Sequence, residues 1–352
     1  MNKQIIYILL IFHFGITSNT YAQESPKNED SKKISKLFRN QNILPIKLSY
    51  STKSIKRDTN DSTYIKTILS YKLESDLWND LDVEFRARGN FRRKNCYFAP
   101  IKIKIKKKAN KKTLFKGHKK LKLVLPCLLQ KDKNDNVIKE FIAYKLYELI
   151  SPYNFSTRLV DITLTEPKGK KIKTHNIKGF LIEDDKKIAN RHKGKILERS
   201  INPRVQDHLT CVQNSFFQFM IGNTDFSIAK PHNAKLLYID KNIFPIPYDF
   251  DMCGLVKASY ATVSQTQNNA IKITSVTQRQ YRGFKRSSNV ISQVRQEFLQ
   301  NKSKMLEVVD SFETSFDNPK EFKNCREFII SFFNIISNDK RYNNEILSAL
   351  RE

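Results

Sequence analysis

The chain has 352 residues, of which 39% are hydrophobic, so it can build a sizeable core and is not globally disordered. Its 63 lysines and arginines outnumber 35 acidic residues and give a formal net charge of +28. A charge this large predicts anionic partners, such as a nucleotide, an anionic cell-surface glycan or lipid headgroups. A lysine-rich composition that only keeps the chain soluble is the alternative.

The N-terminus has the pattern of a secretory signal peptide. Lys3 precedes a mostly apolar run over 5–16, and small residues end the segment at Ala22. The run is shorter than the about 20 residues that span a bilayer. We therefore expect a signal peptide over 1–22 and an exported protein that is periplasmic, on the cell surface or secreted. Export, and the lack of a recognition motif, predict no nucleic-acid partner.

Five cysteines follow the predicted cleavage site: Cys96, Cys127, Cys211, Cys253 and Cys325. Export exposes them to oxidising conditions, which favour disulfides. Cys96 and Cys127 flank the same β-rich region and are the first choice for a bridge. The odd number leaves at least one free thiol, and the spacing fits no zinc template.

The first half of the chain is predicted to be rich in strands. Residues 23–40 are expected to form a flexible leader. Alternating apolar and polar residues then predict strands over 46–50, 64–73, 81–88, 100–106 and 121–125. In 100–106 isoleucines alternate strictly with lysines, which predicts a half-buried strand with one basic face.

Helical spacing of apolar residues predicts a first core helix over 137–150, with Asn136 as its N-cap and Pro152 as its stop. Later elements are expected as strands over 158–164 and 176–183, a helix over 205–221, strands over 234–239 and 243–248, and helices from 289 onward. This order predicts an α+β, two-lobed protein: a β-rich N-terminal lobe over 41–183 with one core helix, and a mainly helical C-terminal lobe over 184–352.

Three polar clusters lie at the ends of apolar elements. The first contains Arg86 and Arg88 before the tight turn at Gly89. Lys102 and Lys104 are expected beside them on a paired strand, where the four cations would suit phosphate oxygens. An ordinary hairpin with a solvated basic face is the alternative.

The second cluster runs from Gly222 to Asp225, directly after a predicted helix, and is followed by Asn233. Asp225 could orient or deprotonate a hydroxyl, and Asn233 could ligate a metal. A plain helix C-cap at Gly222 is the competing interpretation.

The third cluster pairs Asp249 and Asp251, two residues apart after a short apolar strand. Two hard oxygen ligands at this spacing suit Mg²⁺ or Mn²⁺, and a cation would offset their mutual repulsion. A surface turn with two solvated acids is the alternative, although Phe250 and Met252 argue against full exposure.

These clusters occur in an order that resembles the CotH family of atypical kinase-like proteins. The resemblance covers roughly 80–255 and is carried by the segments 88–90, 179–183, 222–225 and 247–251, which read RGN, GFLIE, GNTD and PYDFD. It implies an atypical protein-kinase-like, two-lobed fold. It also implies ATP-dependent phosphoryl transfer, with Mg²⁺ or Mn²⁺, to a surface or secreted protein.

The resemblance also assigns roles to the acidic and amide residues. Asp225 would be the catalytic aspartate that positions the acceptor hydroxyl. Asn233 would ligate the metal, and Asp249 would be the principal metal ligand with Asp251 beside it.

The remaining roles concern the nucleotide. Lys104, or Lys102, would contact its phosphates together with Arg88. Glu140 on the first core helix would hold that lysine, and Glu183 would lie near the adenine.

A non-catalytic protein that binds an anionic surface is the alternative function. The large positive charge and the lack of a glycine-rich phosphate loop favour it. The residues after Asn90 also depart from the family pattern, because Phe91, Arg92 and Arg93 stand where small hydroxyl residues are usual.

Overall fold

The computed structural model describes residues 34–73, 77–130, 134–263 and 271–352; the predicted signal peptide lies outside them. The N-terminal elements are α1 (Lys36–Arg39), β1 (Leu44–Ser49), α2 (Thr52–Asp58), β2 (Ile65–Lys72), β3 (Trp78–Ala87), α3 (Asn90–Asn95), β4 (Ile101–Ile105), β5 (Lys120–Val124), α4 (Asn134–Glu148), β6 (Thr157–Lys168) and β7 (Lys171–Glu183). The C-terminal elements are α5 (Asp185–Arg191), β8 (Lys195–Leu197), α6 (His208–Met220), β9 (Ala234–Ile239), β10 (Asn242–Pro247), α7 (Ser288–Gln300), α8 (Lys302–Asp310), α9 (Pro319–Ile336) and α10 (Asp339–Glu345). Among the described residues, no helix combines the length and apolarity needed to cross a membrane.

Seven strands form a closed barrel in the order β1-β2-β3-β4-β5-β7-β6. Six of the neighbouring pairs are antiparallel, and the parallel pairing of β1 with β6 closes the barrel, with Leu44 opposite Val160. Alternate side chains point inward, so the three isoleucines of β4 are buried in the barrel core. Closure leaves the sheet without a free edge.

The predicted two-lobed kinase-like fold is wrong, because the N-terminal part is this closed mixed barrel and a helical part follows it. Alternation in the sequence predicts strands but carries no information about closure. Here closure depends on pairing Leu44 with Val160, far apart in the chain.

The helical part has a second core, which also receives the buried face of α4. Helix α6 begins after Asp207, whose carboxylate accepts a hydrogen bond from the Thr210 amide at 2.8 Å and caps the helix. Its side chains Phe216, Phe217 and Met220 are buried in this core. Strands β10, β9 and β8 form a small separate sheet. Helix α4 therefore joins the barrel to the helices.

Most predicted elements are present with shifted ends. The helix expected over 137–150 is α4, which already includes Asn136, so the predicted N-cap there is wrong. Residues 36–39 of the expected leader form α1, and Leu37 and Phe38 are buried in the barrel core. The Cys96–Cys127 disulfide is confirmed, with 4.5 Å between the Cα atoms. The remaining three cysteines are free and buried.

Candidate active site

A cleft of about 480 Å³ lies where the barrel faces the loops that follow α6 and β10. Five predicted site residues line it: Arg88, Asp225, Asn233, Asp249 and Asp251. They come from three separate stretches of the chain, and the structure brings them together. We call this feature the cleft.

Two backbone features bring the loops of the cleft together. Helix α6 ends at Met220, and Gly222 follows it with a φ of +64°; a Cβ added at Gly222 would lie 2.9 Å from the ring of Phe328. The carbonyl oxygen of Gly222 accepts a hydrogen bond from the amide of Gly254 at 3.0 Å. The loop carrying Asp225 is therefore fixed to the loop carrying Asp251, and Gly222, the predicted C-cap, lies just after the C-cap residue Ile221.

The backbone at Asp249 and Asn233 is strained, with positive φ angles of 66° and 49°. The Asp249 amide donates a hydrogen bond to the Tyr144 hydroxyl oxygen at 2.9 Å, and the Tyr248 amide donates to the Asn233 carbonyl oxygen at 3.1 Å. Left-handed non-glycine residues persist only where surrounding contacts impose them, and they concentrate at functional sites.

Asp225 is held by three neighbours. The amide group of Asn233 donates to the Asp225 carbonyl oxygen at 2.7 Å and to Oδ2 at 3.0 Å, and His232 Nε2 lies 3.0 Å from Oδ1. The hydrogen bond to Asp225 raises the pKa of His232. The backbone amide of Asp225 donates to Asn223 Oδ1 at 2.9 Å. Because its amide nitrogen is engaged, the side-chain oxygen of Asn233 is the atom that can ligate a cation.

Behind these residues, two buried acids share one buried guanidinium. The nitrogens of Arg92 lie 3.7 Å from Glu140 Oε2 and 3.7 Å from Asp251 Oδ2. Burial raises the pKa of Asp251 to about 6, with Arg92 opposing and Asp249 reinforcing the shift. Burial and the neighbouring aspartates raise the pKa of Glu140 well above its usual value, and its Oε1 has no hydrogen-bond partner among the described residues. Two buried carboxyl groups thus share one guanidinium, and the charges of Asp249 and Arg88 also act on Glu140.

The predicted phosphate lysines do not line the cleft. Lys102 and Lys104 alternate with the inward isoleucines of β4 and therefore point outward, and Lys104 pairs with Glu84 at 2.7 Å. Glu183, predicted near the adenine, is buried in an ion pair with Arg191 at 2.7 Å. Of the predicted nucleotide-binding set, the cleft contains Arg88, and Glu140 lies behind it.

The surface around Lys104 is a separate, solvated region. It is lined by Lys66, Asp82, Glu84, Lys104, Lys106 and Lys108, and we call it the lysine face.

Lys122 of β5 is a cation near the cleft that the sequence analysis did not single out. Its side chain is 12% exposed and lies 2.7 Å from Asp185, which also pairs with Lys235 at 3.1 Å. Burial lowers the pKa of Lys122, Asp185 opposes this, and the charge of Arg88 adds to it. Its ammonium lies 5.0 Å from the ring centre of Tyr248. The alternation of lysine and leucine in β5 is the sequence pattern from which Lys122 could have been chosen as a candidate.

The donors in the cleft fit a Mg²⁺ or Mn²⁺ ion shared with a phosphate. Asp249 and Asp251 offer carboxylate oxygens and Asn233 an amide oxygen. Magnesium is usually held by one or two carboxylates together with substrate phosphates and water. Within the described ranges, no group of three or more His, Cys, Asp or Glu is arranged to hold a metal by itself. The donor set thus suits an ion that completes its coordination with phosphate oxygens and water.

No protein-family model matches the chain, and no curated protein matches it.

Proposed function

We propose that this chain is an exported, divalent-metal-dependent phosphotransferase that transfers the terminal phosphoryl group of ATP to a hydroxyl of a surface or secreted protein. The meeting of Asp225, Asn233, Asp249 and Asp251 in one cleft beside Arg88 carries the proposal. Phosphoryl transfer depends mainly on positioning and on stabilising negative charge, which these residues can supply. The resemblance of the same segments to CotH kinase-like proteins agrees with it.

In this mechanism Asp225 acts on the acceptor. Its carboxylate orients the hydroxyl and takes its proton as the new oxygen–phosphorus bond forms and the bond to the departing nucleoside diphosphate breaks. Asn233 and His232 hold that carboxylate in place.

The remaining oxygen donors would hold the metal. Asn233, Asp249 and Asp251 would bind Mg²⁺ or Mn²⁺, which when bound neutralises charge on the phosphate oxygens. Arg92 contacts Asp251 and Glu140 and keeps Asp251 in position.

Two cations are assigned to the phosphates. Arg88 lines the cleft. Burial lowers the pKa of Lys122, which also lies close enough to Arg88 for the charge of Arg88 to lower that pKa further. They replace Lys102 and Lys104, which do not line the cleft; Lys104 pairs with Glu84 on the lysine face. Arginine binds phosphate through paired N–H groups and lysine as a point charge, so the two together suit a triphosphate chain.

The test is to incubate the purified mature protein with Mg²⁺ or Mn²⁺ and ATP labelled at the γ-phosphate. We expect label to appear on the protein itself or on proteins of a surface extract. Asp225→Asn should abolish labelling, whereas Asp82→Asn on the lysine face should retain it. The absence of labelling and of a thermal shift with ATP would overturn the proposal.

Binding without catalysis is the second candidate, and the lysine face favours it. Its lysines are exposed and project from the barrel into solvent. Such a surface predicts adhesion to anionic glycans or lipid headgroups that weakens as salt is raised. In this case Asp249→Asn would change nothing measurable, whereas Lys104→Glu with Lys106→Glu would weaken adhesion.

A further inference from the structure

Helix α3 separates the cleft from a second depression of about 720 Å³, which we call the basic groove. Phe91 and Arg92 of this helix line the cleft, whereas Arg93 and Lys94 line the groove. The two depressions thus share one short wall. Phe91 is 45% exposed, so an extended chain can pass over it from one to the other.

The groove is strongly positive. Its cationic lining consists of Lys53, Lys56, Arg57, Arg93, Lys94 and Lys168. Among the described residues that line it, the one acid is Glu166, which is 1% exposed. Glu166 is bound by the hydroxyl of Tyr97 at 2.6 Å and by His175 at 2.9 Å, and it lies 3.8 Å from Lys168, so of the lining cations it offsets Lys168 and leaves the others.

The cations of the groove differ in how they are engaged. Arg93 donates to the backbone oxygen of Lys56, and Arg57 pairs with Asp58 on its own helix. Lys53 and Lys94 are exposed and have no acidic partner in the part of the chain that the structure describes. These two lysines are the groove's available charges.

The lysine face is a useful contrast. There Glu84 pairs with Lys104 at 2.7 Å and lies 3.9 Å from Lys106, and Asp82 adds a second carboxylate. The positive charge of the lysine face is therefore partly neutralised. The lysine face also lines a separate depression, to which α3 contributes no residue. Two further exposed lysines, at 170 and 171, follow directly after Lys168 and Gly169 of the groove lining.

We propose that the basic groove binds an acidic segment of the polypeptide that accepts the phosphoryl group, so that the accepting hydroxyl reaches Asp225 across α3. This rests on the proposed phosphotransferase function. A helix with its side chains is about 10 Å across, and an extended chain advances about 3.3 Å per residue. The acidic residues should therefore lie about three to five positions from the accepting serine or threonine.

The experiment uses the mature protein and fluorescein-labelled peptides, with binding followed by anisotropy in the absence of ATP. One peptide has a central serine with glutamates three to five residues away, and its counterpart has glutamines there. Lys53→Glu with Lys94→Glu tests the groove. Lys66→Glu with Lys108→Glu, on the lysine face, is the charge-matched control. Thermal melting shows that both variants are folded.

We expect the acidic peptide to bind at least about tenfold more tightly than its glutamine counterpart, with affinity falling as salt rises. The groove variant should lose about tenfold and the control less than about twofold. Equal losses in both variants, or no preference for the acidic peptide, would overturn the proposal. So would tight binding of the glycan heparin without binding of the peptide. If the peptide binds as expected and no label is ever transferred, the phosphotransferase proposal fails and the docking site stands.

Discussion

The cleft and the lysine face both concentrate charge, but in opposite ways. The charges of the lysine face project into water, where an ion pair contributes little stability. The charges around Arg92 at the cleft are buried and close together. Charge far from water interacts strongly, so burial rather than number marks the region that can do chemistry.

The largest effect is expected from Arg92→Met. This change leaves Glu140 and Asp251 buried without their shared cation, and breaking a buried ion pair costs about 3–5 kcal/mol. Urea denaturation should show this loss in the free energy of unfolding. Lys104→Met on the lysine face should change it by less than about 1 kcal/mol. Equal losses would mean that burial does not distinguish the two regions.

Next comes Asp249→Asn, which removes a charge at the centre of the cleft with little change in size. The rate of phosphoryl transfer should fall on the order of 10²–10³-fold, the usual cost of losing one electrostatic contact to a transition state. Asp82→Asn is the matched change on the lysine face and should leave the rate unchanged. The ratio of the two rates shows how much more a carboxylate contributes to phosphoryl transfer in the cleft than on the lysine face.

Burial also affects how the free energy of unfolding depends on pH, through a histidine that is buried at the barrel. Burial lowers the pKa of His118 from 6.5 to about 4, and its Nε2 lies 2.7 Å from the Ser35 hydroxyl. The unfolded chain therefore binds the proton more tightly, so the free energy of unfolding should fall as pH drops from 6.5 to 4, by up to about 3 kcal/mol.

Urea unfolding at several pH values checks this, with His118→Gln as the reference variant. The variant should show a shallower slope over that window. An identical slope in both proteins would contradict the assignment to His118.

The smallest effect compares two lysines of neighbouring strands. Lys122→Met should raise the KM for ATP about tenfold, because a charge-assisted contact to phosphate is lost. Asp185 keeps its contact with Lys235, so the fold should survive. Lys104→Met should leave KM unchanged. If Lys104→Met raised the KM for ATP and Lys122→Met did not, Lys104 of β4 would be the residue that contacts phosphate.

Local pattern was enough to predict the strands of the barrel and the helices α4 and α6. Alternation and helical spacing are properties of neighbouring residues, so β9 was predicted with its observed ends. The closure of β1 onto β6 left no local signal, and the fold class was therefore predicted wrongly.

The acids of the candidate site were easier to predict than its cations. Asp249 and Asp251 directly follow a buried strand, and two acidic residues in such an apolar stretch stand out in the sequence. Lys102, Lys104 and Lys122 all alternate with inward residues. Lys102 and Lys122 even lie opposite each other on β4 and β5, so no local pattern singles out Lys122, which pairs with Asp185. Arg92 could not be distinguished from its basic neighbours until α3 was seen to bury it.

The disulfide has a consequence for when the cleft becomes complete. Cys96 follows α3 directly, and Cys127 lies two residues after Leu125, whose carbonyl oxygen accepts a hydrogen bond from Arg92. The bridge thus joins the two segments that hold this guanidinium, and closing a loop of this size contributes about 3–4 kcal/mol. A newly made chain in a thiol-rich cytoplasm would lack that link. Under the proposed export and phosphotransferase activity, oxidation after secretion would complete the cleft there, which would spare the producing cell's own proteins.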